Sequence, residues 1–159
     1  MTTNVLIAAG RVNTEQNGDN YLGPVSGFVV FDLSDQLSSI ASATLRMQGL
    51  LVGEDLDETE TLVVYDVSTD IETLRSAGSP DRVIQDLRSG TEYGTVEIAQ
   101  TNGNASVAIE LNEAALTMLN NAQGSIAFGL YLTSTSENQN SWFAAAQTDG
   151  TVLEIGGYP

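Results

Sequence analysis

The sequence predicts an all-β fold, an antiparallel two-sheet jelly-roll β-sandwich with two or three short helical insertions. Three observations carry this expectation. Short apolar runs rich in Val, Ile, Leu and aromatic residues recur along the chain, separated by Gly-, Asn- and Ser-rich turns. The stretch Gly27 to Gly49 joins two such runs through a polar crossing. Helical spacing is confined to brief segments, two of which follow a capping residue. At 159 residues the chain fits one domain, residues 1–159, large enough for a core of its own.

In chain order, Val5 to Ala9 reads as a first strand, and Gly10 to Gly27 as a polar loop. Asn17-Gly18-Asp19-Asn20 gives that loop a turn, and Tyr21, Leu22 and Val25 pin it. Phe28 to Leu33 is apolar and β-prone at nearly every position, so it reads as a strand buried on both faces. Ser34 to Ser39 turn the chain, with Leu37 and Ile40 as inward pegs. Ala43, Leu45 and Met47 then alternate with Ser42, Thr44, Arg46 and Gln48, which gives a strand with one wet face. Leu50 to Val52 follow. Glu54 to Glu60 places five carboxylates in seven residues, a composition that belongs in a solvated loop. Thr61 to Val67 is the next buried strand.

Ser68-Thr69-Asp70 caps a short helix bearing Ile71 and Leu74, which Gly78-Ser79-Pro80 ends. Asp81 to Leu87 forms a second helical turn with Val83, Ile84 and Leu87 inward. Tyr93 to Ala99 alternates as a strand, Gln100 to Asn104 makes a hairpin loop, and Ala105 to Leu111 is the partner. Asn112 caps a helix with Ala115, Leu116 and Leu119 on one face, and Gly124 stops it. Ser125 to Thr133 is a core strand, Trp142 to Ala146 a small-residue strand, and Val152 to Ile155 the closing one. No internal repeat or domain boundary is visible.

Charge and composition narrow the chemistry. Twenty-one acidic residues face five basic ones, for a net charge of −16, and histidine and cysteine are absent. Such a surface repels phosphate backbones and anionic lipid, which argues against nucleic-acid and membrane-surface partners. The five cations are Arg11, Arg46, Arg75, Arg82 and Arg88, so there is no lysine. Nucleophile–histidine pairs, Schiff bases and lysine-dependent phosphate loops are therefore excluded, and paired carboxylates of the glycosidase kind are what remains. With so many acids, accidental pairs are certain, and the expectation is a protein that is not an enzyme. No cofactor is expected. Calcium is the metal that the oxygen donors suit, with Asn17, Asp19 and Asn20 in one loop and Asp55 and Asp57 in another, although neither follows a known loop pattern. Solvated turns explain the same residues. Asn104-Ala105-Ser106 matches a glycosylation sequon and reads as chance.

Sugar recognition asks for an aromatic platform with nearby amides. Trp142 and Phe143, after the loop containing Asn138 and Asn140, are the candidates, with Tyr21 and Tyr158 as weaker ones. Adjacent strand residues face opposite ways, so only one of the pair can serve.

The segments VFDLSDQLSSIASATLRMQG, LVVYDVSTDIETL, DLRSGTEYGTVEI and VAIELNEAALTMLN together resemble the jelly-roll module of bacterial exported surface proteins of the PEP-CTERM group. The resemblance covers roughly Phe28 to Leu132. It implies an extracellular β-sandwich without catalytic residues, akin to modules of carbohydrate-binding and surface-layer proteins. The family's Pro-Glu-Pro tag, terminal anchor and basic tail are not found in the sequence. Val5 to Ala9, with no basic residue before it, does not read as a signal peptide. These features imply a bacteriophage capsid decoration protein on the virion surface. Its partners would be other copies of itself, in a trimer or another small homo-oligomer, and a major capsid or other shell protein. The end segments MTTNVLIAA and TVLEIGGYP are apolar enough to bury against a neighbour. The alternative is a secreted or cell-surface carbohydrate-binding or adhesion module, with a polysaccharide partner.

Overall fold

The computed structural model describes residues 3–6, 8–16, 19–36, 38–53, 59–76, 81–99, 103–133, 141–145 and 150–157. Its strands, in chain order with three helices between them, are β1 (Thr3–Leu6), β2 (Ala8–Gln16), β3 (Asp19–Asp32), β4 (Ile40–Gly53) and β5 (Thr59–Asp66). Then come α1 (Ile71–Arg75), α2 (Asp81–Asp86), β6 (Glu92–Ala99), β7 (Gly103–Glu110), α3 (Glu113–Asn121), β8 (Ser125–Thr133), β9 (Ser141–Ala145) and β10 (Thr151–Gly157). Every strand pairing is antiparallel. One sheet runs β1-β3-β8-β5-β6. In the other, β4 pairs with β7, β10 and β9, and β9 leads on through β2 to β3. β3 belongs to both: its first half pairs with β2 and its second half, from Ser26, with β8. The chain crosses between sheets from β3 to β4, β4 to β5, β6 to β7, β7 to β8 and β8 to β9. This is the two-sheet sandwich expected, with the repeated wrapping of a jelly-roll.

The alternation in β4 decides which face is wet. Ala43, Leu45 and Met47 are buried, while Ser42, Arg46 and Gln48 are exposed and Thr44 is half-buried. Their partners across the core are Val29, Phe31, Leu62, Val64, Phe128 and Leu130, all fully or almost fully buried. Phe128 meets Phe31 and Tyr93 edge-on, at 6.1 and 5.9 Å between ring centroids. Helix α3 adds Ala115 and Leu119 to this core. Helices α1 and α2 cover the other face of the β3–β8 sheet with Leu74, Val83 and Leu87, against Phe28, Val67 and Ala127. Being covered on both faces explains why β3 and β8 read as near-continuous apolar runs. Among the described residues no helix is long and apolar enough to cross a membrane.

Three expectations need correction. The segment expected as a loop from Gly10 to Gly27 is instead largely a β-ribbon: Asn17 and Gly18 lie outside the described residues, and β2 and β3 are in register from Gly10↔Val25 to Gln16↔Asp19. Its polar composition hid it, because ladder hydrogen bonds hold the ribbon and little in its pattern marks a buried face. β6 and β7 are not hairpin partners. β6 pairs with β5 and β7 with β4, so the chain changes sheet between them. They still meet closely: a Cβ on Gly94 would lie 2.7 Å from the Glu110 carbonyl oxygen. The acidic run does not stay in solvent to its end, since β5 begins at Thr59 and Glu60 is buried. Glu54 to Glu58, Leu37 and the Gly78-Ser79-Pro80 stop lie outside the described residues.

Candidate functional site

A cleft of about 720 Å³ lies between α1 and the carboxyl end of α3. Pairing of β5 with β8 sets Asp66 opposite Phe128, so the end of β5 and the start of β8 lie side by side beneath the cleft, between the α1 and α3 walls. Val67, Ile71, Met118, Ile126 and Ala127 supply apolar surface. Asp66, Asp70, Glu72, Asn121 and Gln123 supply carboxylates and amides.

Local hydrogen bonds fix both walls. Asp70 caps α1 by accepting from the Thr73 amide at 2.8 Å and the Thr73 hydroxyl at 2.6 Å. Those bonds hold the Asp70 carboxyl below its usual range. Asp86, the last residue of α2, clamps the approach to α1. Its carboxylate accepts from the amides and hydroxyls of both Ser68 and Thr69, at 2.6 to 3.0 Å. Partial burial pushes the Asp86 pKa up, the four donors outweigh it, and the net displacement is downward. Tyr93 is pushed up to about 12 by burial, by the nearby charge of Asp66 and by its hydrogen bond to that carboxylate.

On the other wall, the Asn112 side chain caps α3 through the Ala115 amide at 3.1 Å and donates to the Glu92 carbonyl at 2.8 Å. Asn120 ties the helix to β4, accepting from the Ile40 amide at 2.8 Å and donating to the Ile40 carbonyl at 2.9 Å. A smaller hollow of about 410 Å³ has Ser68, Thr69, Thr73 and Arg82 around Asp70 and Asp86, and its three hydroxyls donate to those two carboxylates.

These bonds give a pH prediction. The folded-state pKa of Asp86 is lowered, so its stabilisation is fully present above the unfolded value near 3.9 and disappears as pH falls through the folded one. Asp86→Asn should cost about 1–3 kcal/mol at pH 7, because one acceptor oxygen becomes a donor facing donors. Urea titrations of both proteins should show that gap narrowing below pH 4; a gap independent of pH would remove the carboxylate from the explanation.

The sequence-predicted site residues are scattered. Asp19 and Asn20 stand at the β2–β3 turn end, opposite Gln16 and Glu15. Asn17, Asp55, Asp57, Asn138, Asn140 and Tyr158 lie outside the described residues. Among the described residues no group of three or more acids is placed to hold a metal ion. Trp142 and Phe143 sit in β9, flanked by β4 and β2. Phe143 is opposite Leu51 and Ala9, and Trp142 opposite Val52 and Gly10. Unbroken pairing of β4 with β7 from Thr44 to Leu51 carries the alternation through, so position 142 falls on the sheet face of Arg46 and Gln48.

The cleft itself was not predicted from the sequence. The caps at Asp70 and Asn112 were, and they mark where its helices start, but nothing local in the chain announces that β5 pairs with β8. Compared with known proteins, the chain matches no family profile, and no curated protein matches it significantly.

Proposed function

We propose that this chain is a non-enzymatic structural protein, a decoration protein on the surface of a bacteriophage head, acting as a small homo-oligomer against the shell protein. The observation that carries this reading is how its carboxylates are used. Asp32, Asp70 and Asp86 each have their ionisation displaced downward by hydroxyl and amide donors. A general acid needs the opposite displacement. These acids cap helices and hold turns, which stiffens loops that a neighbour could contact. The resemblance to bacterial surface modules and the sandwich fold point the same way. Light scattering on a size-exclusion column tests it: a mass of two or more 16.8-kDa chains is expected, and a single-chain mass at all concentrations would count against it.

The second reading is an extracellular carbohydrate-binding module, favoured by the register of position 142 on the Arg46 and Gln48 face. A glycan array separates the two. The decoration protein leaves the array unlabelled, whereas a sugar-binding module labels specific glycans and loses about 1–3 kcal/mol of affinity in Trp142→Ala, a range borrowed from aromatic stacking on bases.

A further inference from the structure

We propose that the cleft between α1 and the carboxyl end of α3 docks a segment of a partner protein that carries an arginine or lysine flanked by apolar side chains. The inference deepens the structural role proposed above by naming where the partner is held, and rests on it for the partner being a protein.

Three features select that occupant. Among the described residues the charged ones lining the cleft are Asp66, Asp70 and Glu72, and none of the lining residues described is basic. The carboxyl end of α3 opens on the same space through Met118 and Asn121, and the last turn of that helix contains no basic residue. The aligned peptide dipoles leave roughly half a negative charge at such an end, so a cation is favoured there twice over. The floor is apolar and firm: Met118 and Ala122 pack on the main core, and Val67 and Ala127 on the cluster under α1 and α2. A bare cation would leave that floor wet, whereas a cation with apolar neighbours covers it. A second copy of this chain is a poor occupant of this cleft, because with five arginines against 21 acids it has few cations to offer.

The test is an amide NMR titration at about 20 mM salt, where surface charge is weakly screened. The probes are the blocked peptides GLRLLG and GLELLG. The arginine peptide should shift amides of residues 66–72 and 118–127, and the glutamate peptide should not. Glu72→Arg and Gln123→Arg place a cation in the cleft and should each weaken binding about tenfold or more, while Glu97→Arg, at an exposed position of β6, should leave it within about twofold. Two cleft variants are used so that a folding defect in one does not decide the matter.

Shifts scattered over the acidic surface, or an equal loss in Glu97→Arg, would overturn the proposal in favour of unspecific attraction. Arginine amide binding as tightly as the peptide would also overturn it, since the apolar floor would then be unused. If the peptide result holds while shells are not bound, the decoration reading fails and the docking cleft stands. If shells are bound and the peptide is not, the reverse follows.

Discussion

Phe128→Ala should remove about 3–5 kcal/mol of stability, the largest loss expected of any single truncation in this chain. Phe128 is fully buried in β8, between the two strands that complete the middle of its sheet, and its ring contacts Phe31 of β3 and Tyr93 of β6 edge-on. Truncation removes the transfer energy of the ring and leaves a cavity. The surrounding Leu62, Val64 and Leu130 are fixed by their own strand pairings and can fill it only in part. Domains of this size are stable by about 5–15 kcal/mol, so the variant should sit near its unfolding threshold at 37 °C. Urea unfolding followed by Trp142 fluorescence and circular dichroism gives the number. Phe128→Leu should lose clearly less. A loss below about 1 kcal/mol for the alanine variant would mean that this aromatic cluster is not the centre of the core.

Gly129→Ala should be the next most damaging change for its size. Gly129 follows Phe128 and points to the opposite face, where the end of α2 approaches. A Cβ there would fall under 3 Å from the Leu87 carbonyl oxygen, carbonyl carbon and Cα. All three are backbone atoms, so no side-chain rotation relieves the overlap and the helical turn itself must move. Overpacking of this kind costs about 1–3 kcal/mol, occasionally more. The damage should be local before it is global, with hydrogen exchange of residues 81–88 accelerating ahead of the strands. Unchanged protection there would contradict the close packing of α2 on the sheet.

At high pH the Tyr93–Asp66 pair sets a second limit. The tyrosine is raised to about 12, so its contribution is complete below pH 10 and is lost as pH climbs through that value. Histidine being absent, no imidazole titrates between pH 5 and 8, and stability should vary little there from that source.

Legibility from sequence followed locality. Ala43, Leu45 and Met47 against Ser42, Arg46 and Gln48 declare a half-buried strand without help, because a period of two translates directly into faces. Asp70 and Asn112 declare helix starts for an equally local reason, a side-chain oxygen reaching an amide three residues on. The β2–β3 ribbon was missed since Arg11 to Gln16 and Asp19 to Pro24 have little apolar alternation to read. The exchange of partners at β6 and β7 was missed because a short connection between two strands suggests a hairpin, and only the burial of Tyr93 and Ile109 in one shared core takes the strands into different sheets. The cleft depends on two such long-range choices, the β5–β8 pairing and the Asn120–Ile40 clamp, so no stretch of sequence contains it.

On the decoration reading proposed above, this sandwich works by surface and shape, seated on a shell. Co-sedimentation reads that most directly: phage shells assembled without the chain are mixed with increasing amounts of the purified protein and pelleted. Saturable binding at a fixed ratio of chains to shell subunits is the expected result. Protein that stays in the supernatant at every concentration would contradict it.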